Sequence, residues 1–164
     1  MGILVGDHVH HPQHGIGEVQ SIGERSFYGS AKASYVQLYF ARDDLTLTLL
    51  EEHLFESTRK LITSKEAREL LDRMKDWEGK PSSQWKARAN AHQSAIDSGD
   101  PFKYFKVYKG LVQLEEEDTL RLCDKAHLSK SQDMLIEEIA HTLEKTPKQA
   151  HKLIHQAVVN GSTA

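Results

Sequence analysis

Cysteine is almost missing from this chain of 164 residues. Cys123 stands alone, which excludes an internal disulfide and any cysteine-rich zinc module. No apolar run approaches the ~20 residues that a membrane-spanning helix needs. The first residues, Met1 to Asp7, lack the basic start and apolar stretch of a secretory signal. Gly2 invites myristoylation, but Gly6 stands where that motif wants Ser or Thr. A cytoplasmic location is therefore expected. There is no phosphate-binding glycine loop, no G-x-S-x-G elbow and no pair of catalytic carboxylates, so the common hydrolase and nucleotide-binding classes lose their signatures. Internal repeats and low-complexity tracts are absent too.

Net charge is only −3, yet the charge is unevenly spread. Residues 1–79 sum to −4, 80–110 to +4, 111–144 to −6 and 145–164 to +3. A local phosphate-facing surface is thus compatible with an acidic whole. Cys123 lies in Leu120-Arg121-Leu122-Cys123-Asp124, which reads as part of a helical apolar stripe with the thiol as a small buried hydrophobe.

The first fifty residues have the period of β-strands. Val5–His11 and Ile16–Ile22 are separated by Pro12-Gln13-His14-Gly15, a turn. Ser34–Phe40 and Leu45–Leu49 alternate apolar and polar residues. Strands this close together leave no room for crossover helices, so the sheet is antiparallel and a small barrel or roll is expected. After residue 60 the period becomes helical. Thr63-Ser64-Lys65-Glu66 is a capping box, with Ala67, Leu70, Leu71, Met74 and Trp77 on one face. Glu78-Gly79-Lys80-Pro81-Ser82-Ser83 reads as a linker. A helix is predicted from Gln84 to Asp97, and Asp100-Pro101 opens another through Leu114. Further helices are predicted over 117–127 and 131–144, and Thr146-Pro147-Lys148-Gln149 caps the last. The run Glu115-Glu116-Glu117-Asp118 suits the start of a helix, where carboxylates favour the dipole.

Several residues carry chemistry. Trp85, at a helix start beside Lys80, Lys86 and Arg88, has the parts of a minor-groove wedge, an apolar plate flanked by cations. It equally fits a core anchor, because Trp85, Ala89, His92 and Ile96 share helical spacing, and pattern alone favours the core. Lys103, Lys106 and Lys109 recur every third residue, either as phosphate contacts or as a solvated face. His8, His10, His11 and His14 cluster densely enough to suggest zinc or nickel, but only Asp7 is at hand to complete a ligand set. His151 and His155 stand at i and i+4 without the Glu of a metalloprotease helix, so a solvent-facing pair is expected. No metal or other cofactor is predicted.

The segment from Val5 to Val19, Val5-Gly6-Asp7-His8-Val9-His10-His11-Pro12-Gln13-His14-Gly15-Ile16-Gly17-Glu18-Val19, resembles the opening of the CarD/CdnL family. Asp43–Leu47, Lys65–Leu71, Ser82–Arg88 and Ser98–Asp100 with the following helix are similar to later family segments in the same order. The resemblance spans nearly the whole chain. It implies an α+β fold, β then α: a Tudor/SH3-like antiparallel β-barrel over 1–60, a connecting helix and linker over 61–81, and a compact helical bundle over 82–164. It implies a transcription regulator, not an enzyme. The β-domain would bind the RNA polymerase β subunit through Arg25, Phe27, Leu47 and Thr48. The helical domain would hold promoter DNA at the upstream edge of the bubble through Trp85, Lys86, Arg88, Lys80, Lys103 and Lys106, and so stabilise the open complex. A nucleoid-associated monomer is the implied form. The chain departs from the family pattern at His11, at Thr48, at Leu50 and in Lys86-Ala87-Arg88, where the basic run is thinned. That thinning supports a second reading, a polymerase- or protein-binding adaptor without DNA contact.

Overall fold

The computed structural model describes residues 2–26, 29, 32–117 and 119–162, the last three by backbone alone. The chain divides into two units, Met1–Leu61 and Ile62–Ala164. In the first unit, β1 (His8–His11), β2 (Gly15–Arg25), β3 (Ala33–Phe40) and β4 (Leu45–Leu50) form an antiparallel meander. A 3₁₀ turn (Glu51–His53) and the short helix α1 (Leu54–Ser57) lead to β5 (Arg59–Lys60), which pairs with β1. The order is β4-β3-β2-β1-β5, so the sheet stays open, and the expected closed barrel is corrected. Closure needs a ladder between the two edges, and a two-residue β5 cannot supply one.

Alternation places Val36, Leu38 and Phe40 of β3 inward, where they pack with Val9, Val19 and Leu54. Gly17 makes this possible: a Cβ there would come within 2.6 Å of the Phe40 ring. Gly17→Ala is expected to cost about 1–3 kcal/mol by overpacking, measured as a lowered urea midpoint of the full chain. An unchanged midpoint would mean that the Phe40 ring moves freely.

The second unit contains α2 (Ser64–Asp76), α3 (Trp85–Asp97), α4 (Pro101–Glu116), α5 (Leu122–Thr142) and α6 (Pro147–Ser162). Its helix starts follow local chemistry. Thr63 and Glu66 exchange capping bonds, Asp100 accepts from the Phe102 N–H, and Thr146 and Gln149 repeat the reciprocal pair. Leu70 and Met74 of α2 join Tyr104, Phe105, Met134, Leu135, Ile139 and Ile154 in the core. The helix expected as a connector is therefore part of the helical unit.

Three expectations change. The two helices predicted over 117–127 and 131–144 are one continuous helix, α5. The acidic run does not open a helix: Glu115 and Glu116 end α4 and Glu117 caps it. Lys109 is not a surface cation. Its Nζ is buried and donates to the carbonyls of Met74 (2.6 Å) and Lys75 (3.1 Å), capping the C-terminal turn of α2. Burial pushes its pKa down.

Candidate nucleic-acid interface

Trp85 is the first residue of α3, and the preceding turn is tied by Ser82 Oγ, which accepts from the Gln84 N–H. One turn later, Arg88 points inward. Its Nε donates to Asp124 Oδ1 (2.9 Å) and its Nη2 to Asp124 Oδ2 (2.6 Å), while Nη1 reaches the Ser82 carbonyl (3.0 Å). Arg88 is 5% exposed and Asp124 not at all. Asp124 also accepts from the Arg121 N–H (3.0 Å). The guanidinium hydrogen bonds hold the Asp124 carboxyl below its ordinary range, and the same bonds raise Arg88. Arg88 thus pins the start of α3 to the start of α5. As a phosphate contact it is corrected, since the side chain is buried and each of its guanidinium nitrogens already donates inside the protein.

The pinning brings Trp85 beside the N-terminus of α5. Trp85 is 39% exposed, which overturns the core-anchor reading. The Arg121 guanidinium lies 4.8 Å from the ring centroid and the Lys86 ammonium 5.6 Å, both within cation–π range. Leu122, 85% exposed, lines with Trp85, Arg121 and Cys123 a shallow open groove of about 560 Å³. Cys123, expected as a small buried hydrophobe, is half-buried at that groove.

Deeper along the same two helices, His92 and His127 are both buried, their rings perpendicular with centroids 6.1 Å apart. His127 Nε2 lies 3.0 Å from Gln93 Oε1, but neither Nδ1 has a partner among the described residues. Burial, and then the neighbouring His127, pushes His92 down from 6.5 to about 4; burial also lowers His127.

Of the other candidates, Lys86 joins Trp85, whereas Lys80 is exposed in the segment between α2 and α3. Lys103 and Lys106 are exposed on α4. In the first unit, Leu47 is half-buried and Thr48 exposed on the edge strand β4. Arg25 is exposed at the end of β2, level with Ala33, whereas Thr48 is level with Gln37. That difference of four residues along β3 is about 13 Å. Phe27 lies outside the described residues. His10 is buried, and among the described residues no three metal-ligating side chains converge. Nor is any described helix long and apolar enough to cross a membrane. Arg121 and Leu122 escaped the sequence reading because a helical stripe hides its one exposed Leu until its neighbours are placed.

The family model described as "CarD, C-terminal domain" matches residues 69–155, more than half of the chain. The chain belongs to the CarD family. A second model, "CarD-like/TRCF RID domain", matches residues 4–54 and so covers most of the β unit of this CarD-family protein. The chain is similar to "Putative transcription factor YdeB" of Bacillus subtilis (strain 168), 23% identical over 146 residues, which cover 88% of this chain and 95% of that protein. The family is one of transcription regulators that interact with RNA polymerase, and it is not an enzyme family.

Proposed function

We propose that this CarD-family protein docks on the β subunit of RNA polymerase through its β unit and stabilises the promoter open complex through the Trp85 tip of its helical unit. Edge strand β4, Leu45-Thr46-Leu47-Thr48-Leu49-Leu50, carries no charge and no proline to protect the side on which no described strand pairs with it. Such an edge is suited to accepting a strand from a partner. The tether then raises the local concentration of a weak DNA-binding surface. The single observation that carries the DNA half is the exposed Trp85 with Arg121 and Lys86 in cation–π range of its ring and Leu122 lining the same groove. An apolar plate among cations can enter a base step at the bubble edge while the cations neutralise nearby phosphates. Binding the melted promoter better than the closed one lengthens open-complex lifetime.

Trp85→Ala is expected to shorten that lifetime about 5- to 150-fold, the range for losing a base-stacking contact of about 1–3 kcal/mol. Polymerase pull-down should be unaffected. Equal lifetimes would remove the wedge. The adaptor reading gains from the burial of Arg88, which takes one cation out of an already thin basic run. Normal pull-down with no change in promoter footprint would favour it. Loss of pull-down on substituting Thr48 and Leu47 with charged residues would assign the docking edge.

A further inference from the structure

The geometry points to a second phosphate-binding face, on α6, that engages duplex DNA independently of the Trp85 tip. It rests on the DNA half of the proposed function and extends it to a surface that half does not use.

Ala150, Ile154, Ala157 and Val158 form the buried stripe of α6. The opposite face presents Lys148, His151, Lys152 and His155, at i, i+3, i+4 and i+7, all exposed. Lys145, just before the helix, is exposed as well. Residues 145–164 contain three lysines and no acid in a chain of net charge −3. Among the described residues, Lys145, Lys148, Lys152 and His155 form no ion pair with any carboxylate, and His151 meets only Gln132 (2.8 Å) and the His155 ring. A solvated helix face usually alternates the signs of its charges. This one is of a single sign, so its cations are available to an anionic partner.

The spacing suits a phosphate backbone. Lys148 to His155 is seven residues, about 10 Å of helix, comparable with three phosphate rises of about 3.4 Å on one strand. The position suits it also. His151 meets Gln132, which is ten residues, or about 15 Å, along α5 from Leu122 at the tip. A duplex leaving the tip covers that distance in four to five base pairs, at about 3.4 Å each. Ammonium groups contacting phosphates add affinity without sequence preference.

The test is fluorescence anisotropy of the full chain with a blunt, labelled 30-base-pair duplex, titrated with salt. Lys148→Ala with Lys152→Ala should bind roughly tenfold more weakly near 0.1 M salt. Its slope of log K against log salt should be shallower by about 1.8, two contacts at about 0.9 each. Lys148→Arg with Lys152→Arg should restore both. Wild-type affinity and slope in the double-alanine variant would overturn the inference, whether or not an acidic protein uses the face instead. So would a wild-type protein that fails to bind duplex. The wedge is read separately, from open-complex lifetime, so failure of this face and failure of the wedge are distinguishable.

Discussion

Asp124→Ala is expected to lower the stability of the helical unit by about 3–5 kcal/mol, the cost of breaking a buried ion pair from one side. Arg88 would be left 5% exposed with no carboxylate, and the Arg121 N–H would lose its acceptor. Only the Ser82 carbonyl would remain on the guanidinium. Removing both charges is a different experiment. Arg88→Met with Asp124→Leu leaves no orphaned ion, so its cost should be far smaller, and with the Arg88→Met and Asp124→Leu single variants it completes a double-mutant cycle. Urea unfolding followed by helical circular dichroism reads both. A single-variant cost below about 1 kcal/mol would mean that the ion pair does not hold α3 against α5. Because Ser82 and Trp85 flank the same pinned turn, Asp124→Ala should also weaken open-complex stabilisation more than exposed substitutions do.

Acidification should destabilise the helical unit well before its carboxylates titrate. His92 falls from 6.5 to about 4 on folding, because burial disfavours its charged form. Between those values the unfolded chain binds the proton and the folded one does not, so stability drops as pH falls through that window. Below about 4 this group contributes no further change. At 1.36 kcal/mol per pKa unit the full loss is about 3 kcal/mol, of which about 2 kcal/mol falls above pH 5, and the lowered His127 adds in the same direction. Asp124, held below 3.8, keeps its stabilisation throughout the window and loses it only at lower pH. His53, raised by its bond to Glu56, acts with the opposite sign but is exposed and lies in the other unit. The urea midpoint of the helical transition at pH 7.5 and pH 5 measures the effect. His92→Leu should flatten the dependence; a slope that survives this substitution would assign the acid sensitivity elsewhere.

Membership of the CarD family gives these groups a setting, but it does not explain how each is used. Arg88 lies within the segment resembling the family's basic run and would be taken for a phosphate contact on spacing alone. Its inward turn follows from Asp124, 36 residues away. Lys109 likewise leaves the lysine series of α4 because the C-terminal carbonyls of α2 draw it in.

What the sequence by itself determined was local. Thr63 with Glu66, Asp100 with Pro101, and Thr146 with Gln149 mark their helix starts, since a cap needs only residues within a turn of it. Alternation from Ser34 to Phe40 marks β3 because the side-chain period of a strand is intrinsic to its backbone. Only the tertiary structure decided that the sheet stays open, that residues 122–142 form one helix, that Arg88 and Lys109 are buried, and that Trp85 and Leu122 share an exposed tip. Each of these depends on partners tens of residues away, and burial is a property of the packed unit rather than of any single stretch of chain.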